Sequence, residues 1–105
     1  MFLLSRQYSL VKVREEDIHH IIAEGRYTTI HSTKGKFVTQ QSLSKWKSML
    51  EQDLFVQINR KTLIRFNCLE EIIPRDNLIV LDDESTHTLG RQYKENLMQC
   101  FVRIV

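Results

Sequence analysis

Apolar side chains along most of this chain recur with the period of two that β-strands require, and only two stretches depart from it. Between Ser42 and Glu51 the interval lengthens to three or four residues, which predicts a short amphipathic helix with Ser42 as its N-cap. Trp46 falls on the apolar stripe of that helix, so we expect it in the core. The helical interval returns after Gly90, in Leu89, Tyr93, Leu97 and Phe101. The pattern therefore predicts a mainly β, mostly antiparallel chain with two short helices.

Short stretches rich in β-branched and aromatic residues, separated by turn-forming residues, predict the individual strands. In the first of them we expect Tyr8, Leu10 and Val13 to share a buried face. Gly25 is expected in the turn after the second, because glycine adopts the positive φ of tight turns without strain. The predicted strands are Gln7–Arg14, Asp17–Ala23, Tyr27–His31, Phe37–Thr39, one that begins after Asp53, Leu63–Phe66, Leu69–Ile73, Leu78–Leu81 and Thr86–Leu89.

The length of 105 residues predicts a single domain that spans positions 1–105. Cys68 and Cys100 lie in apolar stretches without C-x-x-C spacing, so we expect buried, reduced thiols and a cytoplasmic protein. The opening MFLLSRQYSLV has too short an apolar run for a membrane span and lacks the basic segment of a signal peptide. We therefore expect no association with membranes.

Enzymatic and metal-binding patterns are not evident in the sequence. His19 and His20 are adjacent in a predicted strand, so their side chains should point to opposite faces and should not share a metal ion. Glycine-rich phosphate loops are absent, and no residue near either cysteine would activate it as a nucleophile. The prediction is a protein that is not an enzyme and needs no cofactor.

Three arginines stand at the edges of predicted elements, where a side chain can project from a rigid scaffold. Arg26 follows Gly25, Arg91 follows Gly90, and Arg60 lies in the polar stretch Asn59-Arg60-Lys61-Thr62 between two apolar runs, here called the crest. The guanidinium group can bind guanine or phosphate through two parallel hydrogen bonds. Lys61 and Lys94 could add contacts to phosphates. This placement favours binding to a nucleic acid.

The order of these features resembles the LytTR family of bacterial transcription factors, over residues from about Val13 to Leu97. The resemblance rests on four motifs, none of them specific alone: an acidic-Gly-polar-Tyr turn, a helix beginning sL, an F-x-R-I-H-R-S stretch, and a tail of the form S-R-x-Y/F…L. In this chain they read Ile22-Ala23-Glu24-Gly25-Arg26-Tyr27, Gln41-Ser42-Leu43 through Leu50, Phe55-Val56-Gln57-Ile58-Asn59-Arg60-Lys61, and Gly90-Arg91-Gln92-Tyr93 through Leu97.

The resemblance implies an elongated antiparallel multi-sheet β fold with two short helices, whose loops meet double-stranded DNA. It places the DNA contacts at Arg26, at Asn59, Arg60 and Lys61 of the crest, and at Arg91. The chain departs from the family pattern at Gln57, Asn59, Lys61, Arg65 and Gly90. Lys61 and Arg65 add positive charge where the family has polar neutral residues, so we expect extra phosphate contacts. Because the crest departs from the family pattern, the usual base preference of the family is not assumed for this chain.

The predicted function is therefore sequence-specific binding of double-stranded DNA by a domain of a transcriptional regulator. The resemblance further implies two copies on repeated half-sites, as a possible homodimer, and a possible N-terminal receiver domain that this chain does not contain. The alternative is a protein-interaction module that pairs through exposed strand edges. RNA binding is a weaker option, because the aromatic residues Tyr27, Phe55 and Phe66 are expected in the core and not on a stacking surface.

Overall fold

A computed structural model describes all residues from 1 to 105 and contains ten strands and two α-helices. The strands form three antiparallel sheets: a two-stranded hairpin, a central five-stranded sheet and a three-stranded sheet. The elements in chain order are β1 (Phe2–Arg6), β2 (Ser9–Val13), β3 (Ile18–Glu24), β4 (Tyr27–Ser32), β5 (Gly35–Thr39), α1 (Leu43–Met49), β6 (Phe55–Asn59), β7 (Thr62–Arg65), β8 (Leu69–Ile73), β9 (Leu78–Leu81), β10 (Thr86–Thr88) and α2 (Arg91–Met98).

The molecule is elongated, with principal extents of 50 × 25 × 24 Å, as the resemblance implied. The central sheet has the strand order β5-β4-β3-β7-β6, and the three-stranded sheet has the order β10-β9-β8. Neither helix is long and apolar enough to cross a lipid bilayer. The predicted mainly β fold with two short helices is confirmed.

Apolar residues on the two faces of the central sheet pack into two separate hydrophobic cores. Phe55 and Leu63 point to one face, into a core that contains Trp46 of α1 and Leu4 of the hairpin. Their neighbours point to the opposite face, into a core shared with the three-stranded sheet and α2, which comprises Val56, Ile58, Ile64, Ile79, Leu81, Leu89 and Leu97. Because successive side chains of a strand alternate between faces, β6 and β7 anchor the crest in both cores at once.

The predictions for α1 are confirmed in detail. The Ser42 hydroxyl accepts a hydrogen bond from the Lys45 N–H at 3.0 Å, as an N-cap does. Trp46 is only 2% exposed, and its indole N–H donates to the Thr39 hydroxyl at 3.1 Å. Strands β8 and β9 also have the predicted bounds.

The prediction for the N-terminal region is wrong. A single strand over Gln7–Arg14 was expected, but the chain turns at Gln7 and Tyr8 and forms the β1–β2 hairpin. Gln7 adopts a positive φ of 48°. Glycine and asparagine are the residues that usually indicate this conformation, and neither stands at this position, so the sequence does not predict the turn. Tyr8 is fully exposed and Leu10 is 65% exposed, whereas Val13 is buried as expected.

Two further burial predictions need correction. Cys68 is buried as expected, but Cys100 follows the end of α2 and is exposed. Tyr27, expected in the core, begins β4 beside the turn at Gly25 and is 46% exposed. Both residues lie at or beyond the end of an element, where the periodicity no longer specifies which face is buried.

Candidate nucleic-acid interface

Strand register brings the predicted binding elements to one end of the molecule. Because β3 runs antiparallel to β7, the turn that follows β3 lies beside the turn that precedes β7. Ile22 pairs with Thr62, and the Ala23 N–H donates to the Lys61 carbonyl at 2.7 Å. The Arg26 turn and the crest therefore adjoin each other. We call this region, together with the first turn of α2, the cationic end.

The Asn59 side chain holds the crest in place. Its Oδ1 accepts a hydrogen bond from the Lys61 N–H at 2.8 Å, which closes an Asx-turn. Its Nδ2 donates to the Thr88 carbonyl at 2.7 Å, which ties the crest to the segment that leads into α2. The Asx-turn explains how this hairpin turns sharply without glycine or proline.

A second side chain supports the crest from beneath. The Gln57 amide donates to the carbonyl of Asn59 at 3.0 Å and to that of Arg60 at 3.4 Å. Its Oε1 accepts from the Lys47 ammonium of α1 at 3.2 Å. The residue that replaces an arginine of the family pattern thus orders the backbone that carries Arg60.

The start of α2 is joined directly to the crest. The strand pairing of β6 with β7 shifts between Gln57 and Asn59, and the Ile58 carbonyl accepts from the Gly90 N–H at 2.8 Å. A Cβ at Gly90 would lie 3.0 Å from the Tyr93 ring and 3.5 Å from Asn59. This close approach gives a reason for glycine before Arg91, and Leu97, fully buried, anchors the helix in the core.

The cationic side chains of this end have no acidic partner. Arg26, Arg60, Lys61 and Arg91 are exposed, and Lys94 is half-buried. None of these five pairs with a carboxylate, since the ion pairs of the molecule are between His19 and Asp82, between His19 and Asp83, and between Arg75 and Asp76. A shallow groove runs between the crest and the first turn of α2, lined by Asn59, Arg60, Lys61, Gly90, Arg91, Gln92 and Tyr93. Its two walls present positive charge to the same space.

Arg65 lies apart from the other predicted contacts. It ends β7, opposite Phe55, and its Nε donates to the Ile18 carbonyl at 2.8 Å. Ile18 begins β3, so this contact is at the far end of that strand from the Arg26 turn. The hydrogen bond of Arg65 joins β7 to β3. A role for Arg65 in binding DNA stays a prediction.

Arg75 is a candidate that sequence reasoning did not identify. It lies in the turn between β8 and β9, and its side chain is 92% exposed. The Leu89 N–H donates to the Asn77 carbonyl at 2.8 Å, which places this turn next to the segment that leads into α2. The sequence predicts the strands on either side of this turn, Leu69–Ile73 and Leu78–Leu81, but only the pairing of β9 with β10 brings the turn to the cationic end.

Adjacent histidines at the opposite end of β3 contradict the sequence prediction. The strand register shifts between Ile18 and His20, so His19 is an extra residue in a β-bulge. The bulge breaks the alternation of faces, and the Nδ1 atoms of His19 and His20 lie 2.7 Å apart. The expectation that these two side chains point to opposite faces is wrong.

Asp82 and Asp83, in the turn between β9 and β10, both contact His19. His31 stacks on the His20 ring at 4.1 Å between centroids, and the His87 ring lies 4.9 Å from it. All four histidines of the chain therefore meet here, with two carboxylates. Burial, together with the neighbouring imidazoles, lowers the pKa of His20 to about 3.

Comparisons with known proteins agree on one family. The family profile described as LytTr DNA-binding domain matches residues 8–101. Sensory transduction protein LytR of Streptococcus agalactiae serotype V is 28% identical over 90 residues, which cover 83% of this chain and 37% of that protein. The chain thus spans little more than a third of this relative. A solved LytTr DNA-binding domain from Bacillus cereus superposes with a TM-score of 0.83 at 16% identity, with 93% of each chain covered, and shows the same fold.

Proposed function

The chain belongs to the LytTr DNA-binding domain family, and we propose that it binds specific sequences of double-stranded DNA through its cationic end. The observation that supports this most directly is the set of exposed, unpaired cations on an ordered backbone. Arg60 and Lys61 project from a hairpin fixed by the Asn59 and Gln57 side chains. Since that backbone is already ordered, binding loses less conformational entropy than it would from a flexible loop.

Within this interface we propose a division between base readout and phosphate contact. Arg60, together with Arg26 or Arg91, would read base edges, because two hydrogen bonds from a guanidinium fit guanine O6 and N7. Lys61 and Lys94 would contact phosphates and set the register of the protein on the duplex. Arg65 lies outside the cationic end, so a phosphate contact from it would require the duplex to extend along β3 toward Ile18. Asn59 would contribute mainly by holding the crest in shape, since both ends of its amide are already hydrogen-bonded.

Replacement of Arg60 by alanine tests this assignment. We expect specific binding to weaken by about 1–3 kcal/mol, with a loss of preference at one base pair, because a bidentate arginine–guanine pair supplies about that much discrimination. The target is first selected from a random duplex pool, and dissociation constants are then measured for single-base variants of it. Arg14→Ala is the matched control, since it removes one exposed positive charge near the opposite end of β3.

Salt dependence separates the two proposed kinds of contact. Lys61→Ala should weaken binding to all duplexes alike and reduce the slope of log K against log salt by about one, because one phosphate contact is lost. An Arg60→Ala protein that keeps full affinity and full base preference would contradict the readout role. Absence of any duplex binding by the unaltered chain would favour the alternative, a module that pairs through strand edges.

A domain of this size covers a short DNA site, so we propose that two copies bind repeated half-sites. The relative from Streptococcus agalactiae is a longer protein. We propose in addition that a phosphorylation-controlled receiver domain controls the DNA-binding domain described here. Binding to a target with one half-site deleted tests the arrangement. Loss of a second bound chain, together with reduced affinity for the first, is the expected result.

A further inference from the structure

The histidine cluster lies away from the cationic end and has no part in the proposed DNA contacts. We propose that His19, His20 and Asp83 form a binding site for a divalent transition-metal ion of the Zn²⁺ type. One ligand atom from each of these residues falls in a group whose members all lie within 4.8 Å of one another. Imidazole and carboxylate are the ligands that such ions take in proteins.

The distances between the ligand atoms fit a tetrahedral ion. Bond lengths of about 2.0–2.1 Å place two ligand atoms of a tetrahedral Zn²⁺ site roughly 3.3 Å apart. His19 Nδ1 lies 2.7 Å from His20 Nδ1 and 3.8 Å from Asp83 Oδ2, so the observed separations bracket that value. Three protein ligands leave the fourth position to water.

Supporting contacts orient each ligand, as they do around established metal sites. The other ring nitrogen of His19, Nε2, hydrogen-bonds the Asp82 carboxylate and so leaves Nδ1 to the metal. The Ser85 N–H donates to Asp83 Oδ1 at 2.9 Å, and the Ser85 hydroxyl donates to the same atom. These bonds leave Asp83 Oδ2 directed at His19. His20 is 2% exposed and is held between the His31 and His87 rings.

Neighbouring groups favour this set of ligands over another. Cys68 also lies near His19 and Asp82, but in that group the Asp82 carboxylate is already hydrogen-bonded to His19 Nε2, whereas His19 Nδ1 faces His20 and Asp83. The chosen ligands come from two different sheets, because His19 and His20 belong to β3 and Asp83 to the β9–β10 turn. A bound ion would therefore join the central sheet to the three-stranded sheet.

Calorimetric titration of the tag-free, chelator-treated chain with ZnCl₂ tests the proposal. We expect saturable binding of one ion per chain and a rise in melting temperature with Zn²⁺ that equimolar Mg²⁺ does not produce. Asp83→Asn should weaken binding by about tenfold or more, while retaining an acceptor for the Ser85 N–H. Glu84→Gln is the control: it removes the same charge from the same turn and should leave the affinity unchanged.

Cobalt and nuclear magnetic resonance identify the ligands. Co²⁺ should give the intense visible absorption of a tetrahedral site, and the ¹⁵N shifts of His19 and His20 should change at Nδ1. His19→Gln, a half-buried position that tolerates substitution better than His20, should abolish both signals. No saturable Zn²⁺ binding, or equal binding by the Asp83→Asn and Glu84→Gln chains, would overturn the site. These measurements use no DNA, so a negative result would overturn the metal site without affecting the proposed DNA-binding function.

Discussion

The two ends of β3 use charged and titratable residues in opposite ways. At its C-terminal end, Arg26, the crest and Arg91 present cations to solvent with no acidic partner. At its N-terminal end, the imidazoles of His19 and His20 contact each other, and His19 also contacts two aspartates. The positive charges at the C-terminal end are free to bind a polyanion. The polar groups at the N-terminal end contact one another within the protein.

This difference separates the requirements of binding from those of folding. An exposed cation costs the fold little, because surface ion pairs contribute about 0–1 kcal/mol and their absence is tolerated. A buried imidazole must be satisfied by neighbours, because an unpaired buried polar group costs about 1–3 kcal/mol. Substitutions at the cationic end that alter only side-chain charge should therefore change DNA affinity more than stability, and the reverse should hold at the histidine cluster.

Asn59 is where this comparison should fail, because it belongs to the cationic end but its side chain acts within the fold. Asn59→Ala removes the hydrogen bonds to the Lys61 N–H and the Thr88 carbonyl. At about 0.5–1.5 kcal/mol for each, the free energy of unfolding should fall by about 1–3 kcal/mol. The dissociation constant for DNA should also rise by roughly 2- to 10-fold, since binding must now order the crest, at about 0.5–1.5 kcal/mol.

Urea unfolding and duplex titration of the same preparation measure both effects of Asn59→Ala. Asn59→Ser is the matched variant, because its hydroxyl can still accept from the Lys61 N–H, whereas the amide donor to Thr88 is lost and no charge is added. A smaller loss of stability is expected for it. If Asn59→Ala weakened DNA binding without any loss of stability, the side chain would act on the DNA and not on the crest.

The Gly25 turn provides a second test at the cationic end. Here the expected loss of stability comes from backbone strain and not from lost side-chain contacts. Gly25 has φ of +63° and no atom within 4 Å of an added Cβ, so substitution introduces strain without a clash. We expect Gly25→Ala to lower the free energy of unfolding by about 1–2 kcal/mol, the cost of the left-handed conformation for an ordinary residue. Gly25→Asn should cost less, because asparagine tolerates this region. Equal stabilities of the two variants by urea unfolding would contradict the assigned strain.

Periodicity and turn chemistry were sufficient to predict most of the fold. β8, β9 and the cap of α1 follow directly from local patterns, because each depends on residues adjacent in sequence. The β-bulge at His19 and the turn at Gln7 could not be predicted in this way. Neither position carries a glycine, and each depends on the register in which neighbouring strands pair, β1 with β2 and β3 with β4.

The candidate interface shows the same limit. Arg26, Arg60 and Arg91 were identifiable as residues at the edges of elements, but their convergence follows from the pairing of β3 with β7 and the bond from Gly90 to Ile58. Arg75 was missed because its turn reaches this end only through the pairing of β9 with β10. Sequence therefore predicts which side chains are available, and strand register determines which of them lie together.

Asp17 gives the smallest expected effect and tests the other end of β3. It lies just before that strand, where its Oδ2 accepts from the Arg14 N–H at 2.9 Å and its Oδ1 from the Thr33 hydroxyl at 3.2 Å. These bonds, the Arg14 N–H foremost, hold the pKa of Asp17 below its usual range. A lowered pKa means that the carboxylate stabilises the fold above the unfolded pKa of about 3.9, and that this contribution is lost as pH falls through the folded value.

Asp17→Asn should therefore be slightly less stable than the unaltered chain at pH 7, and the difference should vanish at a pH below the folded pKa. Urea unfolding at several pH values measures the difference, and a carbon-13 titration of the Asp17 carboxyl measures the pKa itself. Glu16→Gln removes the same charge from the neighbouring exposed position and should show no such pH dependence. A difference that persisted unchanged into acid would mean that the Asp17 charge does not serve the fold. The contrast between the two ends of β3 would then rest on the histidine cluster alone.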